Sequence, residues 1–246
     1  MTYCVAVKVK AGLVFLSDSR TNAGVDDIST TRKMSVFTKS NGRSLVLLCA
    51  GNLAITQSVK TILKTKKNKL FWSAKSLYEI AEIIGECIRE VNRRDGEALK
   101  KDGLEFSCSF ILGGQIPDED MRLFKIYSAG NFIEADEESL YFQIGESKYG
   151  KPILDRVLDS NMTTEAAAKC LLLSMDSTIR SNVSVGMPLE LLEYKTSSKK
   201  TINYKLVKDG DEEYERIKNV WNAYLKDGFK KLANFSWDKT LNFLKE

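Results

Sequence analysis

The chain has 246 residues, of which 43% are hydrophobic and 28% charged, and its formal net charge is +4. This length can bury one sizeable core, so we expect a single globular domain over residues 1–246. The apolar runs are too short to span a membrane, and the opening residues alternate like a strand, unlike a signal peptide. We therefore expect a cytoplasmic protein. The basic run at 64–69 has no accompanying aromatic motif, which favours a solvated surface over nucleic-acid binding.

The sequence contains no histidine. This excludes a Ser-His-Asp triad, a Cys-His nucleophile pair, a His-ligated zinc and a His general base. The five cysteines are widely spaced without a C-x-x-C pair, so they are typical of buried small hydrophobes and predict neither disulfides nor a zinc site. A hydrolase of this composition needs another group to accept the proton.

Two β-hairpins are predicted at the start of the chain. Residues 2–9 and 13–19 alternate as strands around a short turn. Apolar stretches at 34–38 and 44–49 follow, and the Asn-Gly pair at 41–42 supplies their turn. Strands joined in this way are antiparallel.

Helical periodicity begins at Asn52, a suitable N-cap, and a longer helix is predicted from about Ser73 to just before the Asp95-Gly96 pair. The remaining elements follow in chain order: strands at 105–112, 121–127, 132–135 and 140–144, helices at 148–158 and 163–175, strands at 183–194 and 201–207, and a last helix with an apolar face from Ile217 to Leu225.

If both predicted helix pairs covered the same face of one sheet, the apolar side chains on its other face would be exposed to solvent. Two sheets packed face to face with helices outside both would bury every apolar face, which predicts an α+β fold, a four-layer αββα sandwich. We expect a core at residues 2–206 and a C-terminal helical extension at 207–246. The extension carries large apolar residues that fit either a subunit contact or a lid on the same domain: Phe229, Phe235, Trp237 and Phe243.

Thr2 is the first candidate for chemistry. Removal of Met1 would expose an α-amino group with a reference pKa of about 7.7–8.0, which can act as general base for the hydroxyl of the same residue. Taken alone, a threonine here is more commonly a β-prone residue that opens a strand. Asp18 and Lys33 lie at neighbouring predicted strand ends, where a surface salt bridge is the commoner role. Gly51, between a strand and a helix, offers an N–H suited to an oxyanion, although packing also favours glycine there.

Several motifs together resemble the proteasome β-subunit in order and spacing. They are Thr2, SDSR at 17–20, RK at 32–33, AG at 50–51 and IGESKYG at 144–150. The match covers roughly residues 2–206. Within that superfamily, the longer segments at 2–34, 49–59 and 174–186 are similar to the ancestral β-subunit (Anbu) family.

The resemblance implies a catalytic role for each matching residue. Thr2 would be the nucleophile, Asp18 and Lys33 the pair that tunes it, and Gly51 the oxyanion N–H. The remaining matches would complete the site: Ser147 holding the catalytic amine and water, Asp176 as the acidic residue beside it, and Ser181 in the last position, at a longer spacing from Asp176 than in proteasome β-subunits.

The resemblance also implies substrate and ion positions. The substrate pocket would be formed by small or apolar residues, which indicate a neutral side chain before the scissile bond: Thr21, Thr31, Ser35, Cys49 and Leu53. Thr178 and Ser181 would lie in a loop where relatives bind a cation, monovalent or divalent, through backbone carbonyls. A loop without an ion is equally compatible, and no other cofactor or metal is implied.

The resemblance implies a threonine peptidase that works through an acyl-enzyme within a large homo-oligomer, an open spiral ring, on a peptide or protein substrate. Two alternatives stay open. The first is a self-assembling scaffold or binding particle with the same fold and little peptidase activity. The second is an amidohydrolase for a small molecule, which would differ only in pocket size.

Overall fold

The computed structural model describes residues 2–22, 28–40, 42–196 and 201–237. The strands within these ranges are β1 (Tyr3–Val9), β2 (Gly12–Asp18), β3 (Arg20–Asn22), β4 (Ile28–Thr30), β5 (Met34–Thr38), β6 (Ser44–Gly51), β7 (Cys108–Gln115), β8 (Arg122–Ile126), β9 (Phe132–Glu134), β10 (Tyr141–Gly145), β11 (Leu189–Lys195) and β12 (Ile202–Val207). The helices are α1 (Leu53–Lys64), α2 (Asn68–Ser73), α3 (Leu77–Lys101), α4 (Lys151–Val157), α5 (Thr164–Ser181) and α6 (Glu212–Lys230).

Two five-stranded sheets form the centre, in the orders β10-β1-β2-β11-β12 and β5-β6-β7-β8-β9, and β3 and β4 form a short separate ribbon. Every pairing is antiparallel, as the hairpin pattern predicts. In the first hairpin Cys4 pairs with Ser17 and Val9 with Gly12. This register places the end of β2, and therefore Asp18, beside the start of β1.

The core is divided into three apolar layers. Between the sheets, side chains such as Phe15, Leu48 and Ile111 are fully buried. Helices α1 to α3 cover the outer face of the second sheet, and α4, α5 and the start of α6 cover the outer face of the first. The predicted αββα sandwich is thus confirmed, and each sheet buries both of its faces.

Helix α1 begins as the sequence predicts. The Asn52 side chain accepts hydrogen bonds from the N–H groups of Ala54 at 2.9 Å and Ile55 at 3.4 Å. These bonds satisfy two of the free N–H groups of the first turn. The cap therefore determines the residue at which strand β6 ends and helix α1 begins.

The predicted bounds of the long helix were wrong at both ends. Helix α3 starts at Leu77 with Ser76 as its N-cap, and the preceding residues form the separate short helix α2. It continues through Asp95 and Gly96 and ends at Lys101, before Gly103 with φ +73°. The first Asp-Gly pair stays helical at a cost of about 1 kcal/mol for an interior glycine, whereas the second supplies the left-handed residue that ends the helix.

Helix α5 also runs past its predicted end, to Ser181, and the next strand begins only at Leu189 instead of at residue 183. The strand predicted at 183–194 starts late because the chain turns over its first residues and Pro188 has no N–H for a ladder. The loop predicted after the first hairpin contains the short strands β3 and β4. Residues Asn41 and Phe243 lie outside the described residues.

Candidate active site

Thr2 lies immediately before β1, at the edge where β1 pairs with the end of β10. The Thr2 carbonyl accepts a hydrogen bond from the Glu146 N–H at 2.6 Å. Gly145 has φ +81°, and a Cβ atom there would lie 2.0 Å from the Thr2 carbonyl oxygen. Only glycine permits this close approach, so Gly145 lets the end of β10 pack directly against the main chain of Thr2.

Asp18 and Lys33 form a buried ion pair next to Thr2. Lys33 Nζ lies 2.7 Å from Asp18 Oδ1, and the two side chains are 6% and 0% exposed. The same carboxylate oxygen accepts the Tyr3 N–H at 2.9 Å, while Lys33 also donates to the Arg20 carbonyl at 2.7 Å. A surface salt bridge, the commoner role for such a pair, is therefore excluded.

The two charges depend on each other. Burial raises the pKa of Asp18, and the Lys33 ammonium together with the N–H groups of Tyr3 and Gly186 opposes that rise. Removing one member of such a pair leaves an uncompensated charge inside the protein. The pair thus holds a cation at a fixed place beside Thr2.

Thr2, Lys33 and Gly51 line one cleft of about 350 Å³. Four of the five predicted substrate positions line the same cleft: Thr21, Thr31, Cys49 and Leu53. Ser35 does not line it and lies within β5 opposite Leu47. A larger cavity of about 420 Å³ lies between α5, α6 and the first sheet, but no serine, threonine or cysteine lines it.

Gly51 ends β6 on the wall of this cleft. Its φ is +108°, and a Cβ atom there would lie 2.4 Å from the Ser107 carbonyl oxygen. Helix α1 starts two residues later, so the peptide group of Gly51 lies at the positive end of that helix. This is a suitable place for the N–H of an oxyanion hole.

The other three predicted catalytic residues are not among those that line this cleft. Ser147 is exposed and lines a separate groove with Tyr141 and Lys151. Asp176 pairs with Arg180 at 2.9 Å, and Ser181 is exposed at the end of α5. Their catalytic roles stay predictions.

Thr178 and Ser181 were wrongly predicted to lie in a loop, because α5 extends to Ser181. The Thr178 carbonyl accepts the Asn182 N–H at 2.9 Å. Across the described ranges, no group of three or more His, Cys, Asp or Glu residues is placed to hold a metal ion. Within the same ranges, no helix combines the length and the apolar character needed to cross a membrane.

Sequence reasoning missed two buried polar residues, Glu146 and Asn182. The Glu146 carboxylate accepts the N–H groups of Ser147 and Lys148 and the Asn182 side-chain amide, each at 2.9 Å. Burial by itself raises the pKa of Glu146, but these hydrogen bonds hold it below its ordinary value. The available signal was an acidic residue two positions after the strand predicted at 140–144, within the IGESKYG motif.

Comparison with known proteins places this geometry in a family. The family model described as "Proteasome subunit" matches residues 2–192. A structure of an Anbu (Gly-1) mutant from Hyphomicrobium sp. strain MC1 is similar with 42% identity and a TM-score of 0.89, over 96% of this chain and 100% of that one. Anbu from Yersinia bercovieri is 44% identical with a TM-score of 0.86, also over 96% and 100%.

A third similar structure is described as the helical assembly of the Anbu complex from Pseudomonas aeruginosa. It is 42% identical with a TM-score of 0.86, over 96% of this chain and 98% of that one. No match was found among curated proteins. The family resemblance seen in the motifs is confirmed.

Proposed function

Since the chain belongs to the proteasome subunit family and, within it, to the ancestral β-subunit (Anbu) group, we propose that it is a threonine peptidase that acts through Thr2 after removal of Met1. The single observation that supports this most is the convergence of Thr2, the buried Lys33 and Gly51 on one cleft. A hydroxyl, a fixed cation and a backbone N–H at a helix start are the parts that acyl transfer needs without histidine.

The reaction would start with the free α-amino group of Thr2. This amine accepts the proton of the Thr2 hydroxyl as the hydroxyl oxygen attacks the amide carbonyl. The Lys33 ammonium stabilises the oxygen as it loses its proton, and the Gly51 N–H stabilises the oxyanion that forms at the carbonyl.

The tetrahedral intermediate collapses when the C–N bond breaks and the protonated amine of Thr2 gives its proton to the leaving nitrogen. An ester between the substrate acyl group and Thr2 remains. Water, deprotonated by the same α-amine, attacks this ester and releases the acid with Thr2 restored. The small and apolar lining at Thr21, Cys49 and Leu53 suits a neutral side chain next to the bond that is cut.

We also propose that the protein is a cytoplasmic homo-oligomer that forms an open spiral. The structure of the Pseudomonas aeruginosa relative, described as a helical assembly, supports a repeating homo-oligomer. Phe229, Phe235 and Trp237 are 76%, 77% and 81% exposed, so they do not form a lid on their own domain. Several large apolar residues exposed within one short segment mark a contact with another protein. We propose that the partner is a second copy of the chain.

The alternative function is a self-assembling scaffold or binding particle with little peptidase activity. The positions of Ser147, Asp176 and Ser181 favour it, because these residues are not among those that line the cleft of Thr2. A site that lacks them has fewer groups to hold the amine and water during the reaction.

Intact-mass measurement separates the two functions. We expect the purified protein to lack Met1 and to gain one covalent adduct with a threonine-directed epoxyketone or β-lactone. Thr2→Ala is the matched control, because alanine is also small enough for methionine removal but has no hydroxyl. Retention of Met1, or no adduct after its removal, would contradict the peptidase and favour the scaffold.

A further inference from the structure

Glu146 holds the main chain of Thr2 directly. Its N–H donates to the Thr2 carbonyl at 2.6 Å, and this is the hydrogen bond that continues the β1–β10 pairing to the first described residue. The orientation of the Thr2 peptide therefore depends on how the chain around Glu146 is fixed. A shift there would move the nucleophile relative to Lys33, which is held by other elements.

The side chain of Glu146 is fixed by its own loop and by Asn182. One carboxylate oxygen accepts the N–H groups of Ser147 and Lys148, and the other accepts the Asn182 amide at 2.9 Å. Both residues are buried, at 7% and 8% exposure. Neither residue is among those that line the cleft of Thr2, so the pair would act on Thr2 through the main chain.

The amide orientation of Asn182 follows from its contacts. Its side-chain oxygen accepts the Ser184 N–H at 3.0 Å, so its nitrogen is the atom that faces Glu146. Two residues further along, the Gly186 N–H donates to Asp18 Oδ2 at 3.4 Å. The segment 182–186 thus contacts both Glu146, which holds Thr2, and Asp18, which holds Lys33.

We propose that Glu146 and Asn182 are a positioning pair that aligns the Thr2 main chain with the Asp18–Lys33 pair. The proposal rests on the proposed function, since it concerns the same nucleophile. The pair acts through the backbone: the carboxylate fixes the loop from which the Glu146 N–H reaches Thr2, and the amide ties that loop to the segment that contacts Asp18. The segment 182–186 would then fix the position of Thr2, through Glu146, and of Lys33, through Asp18.

Reversing the polarity of the pair tests this arrangement. In Glu146→Gln the oxygen can still accept from Ser147 and Lys148, but the new amide nitrogen faces the Asn182 nitrogen, donor against donor. In Asn182→Asp two carboxylates face each other. The double variant carrying both changes restores one donor facing one acceptor, with the charge moved to position 182.

The measured quantity is the rate of covalent labelling of Thr2 by a β-lactone, separated into kinact and KI. We expect each single variant to lower kinact by about 10- to 100-fold, because small misplacements of reacting groups cost this much. KI should stay unchanged, since the cleft lining is the same. The double variant should recover to within about threefold of the wild-type kinact, a coupling that independent sites would not show.

A second measurement works whether or not Thr2 is reactive. Hydrogen exchange of the peptide that covers 141–150 reports the Glu146 amide, which should be protected in the wild type, faster in both single variants and protected again in the double variant. If this exchange pattern is seen but no β-lactone labels the protein, the proposed peptidase function is contradicted and the positioning pair is still supported. Labelling at the wild-type rate in the single variants would overturn the pair and leave the peptidase intact.

Misfolding of the single variants does not remove the test. The double variant is then compared with the wild type alone, and near wild-type kinact with a protected Glu146 amide supports the proposal. A folded double variant with low kinact or an unprotected amide overturns it.

Discussion

Two ion pairs of equal length differ sharply in their exposure to solvent. Lys33–Asp18 and Lys66–Glu90 are both 2.7 Å apart, but the side chains of the first are 6% and 0% exposed and those of the second 69% and 31%. Water screens the second pair and lets each partner remain solvated alone. In the first, each charge relies on the other for compensation.

This difference predicts the effect of removing one cation. Lys33→Met should destabilise the protein by about 3–5 kcal/mol, because it leaves the Asp18 carboxylate buried without its partner, and it should abolish labelling of Thr2. Lys66→Met, the control at the same distance, should have little effect on either. Urea unfolding measures both variants, and equal midpoints for the two would contradict the prediction.

The destabilisation should also depend on pH in a defined direction. Burial raises the pKa of Asp18, and without Lys33 the largest contributions that oppose this rise are lost. A carboxyl group with a folded-state pKa above its unfolded value, about 3.9, favours folding below that value and loses this contribution as the pH rises through the folded pKa. Unfolding curves should therefore show that the gap between Lys33→Met and wild type narrows as the pH falls. A gap that widens in acid would contradict this assignment.

At single residues, the sequence predicts best where function depends on position along a strand. Thr2, Asp18, Lys33 and Gly51 stand at the ends of predicted strands, and antiparallel pairing brings such ends together. The importance of Glu146 depends on a hydrogen bond to a residue 36 positions away. The position of Glu146 after a predicted strand could mark it as a candidate, but no local pattern encodes its contact with Asn182, so that contact could not be predicted.

At the scale of elements, the same dipeptide has opposite effects at two places. Asp95-Gly96 stays inside α3, whereas Gly103, after Asp102, adopts φ +73° as the helix ends. Both pairs signal a helix end in the sequence, and only the surrounding packing decides which one ends it. Leu99, beyond the first pair, packs against the core under the second sheet, and the helix continues past Gly96. Similarly, local propensity could not show that α5 would extend to Ser181.

Gly51 shows how an element end can be tested. Gly51→Ala would combine a φ of +108° with a Cβ atom 2.4 Å from the Ser107 carbonyl oxygen, so the end of β6 must move. Gly103→Ala is the control, because its φ of +73° is also unfavourable but no atom lies within 4 Å of the added carbon. The control should lose about 1–2 kcal/mol and keep the labelling rate of Thr2. Gly51→Ala should lose clearly more stability and most of its labelling, and equal losses in the two variants would contradict the assignment of Gly51.

For the whole molecule, the αββα arrangement could be predicted because two helix pairs and antiparallel hairpins need two sheets to bury their apolar faces. The assembly could not be predicted in the same way, since composition does not determine symmetry. For the C-terminal extension, the structure favours a subunit contact over a lid on the same domain. The apolar residues at the end of α6 and beyond it, as far as Trp237, lie exposed to solvent instead of covering the domain.

Replacing Phe229, Phe235 and Trp237 together by serine should therefore yield smaller particles. These side chains are more than three-quarters exposed, so each replacement should change the unfolding free energy of a subunit by no more than about 0.5 kcal/mol. A head-to-tail contact that does not close repeats along a spiral, so weakening it shortens every assembly. Sedimentation velocity measures the particle size, with Leu104→Ser, at a residue that is 53% exposed, as the control for a surface apolar change. Unchanged particle size in the triple variant would mean that the subunits meet through another surface.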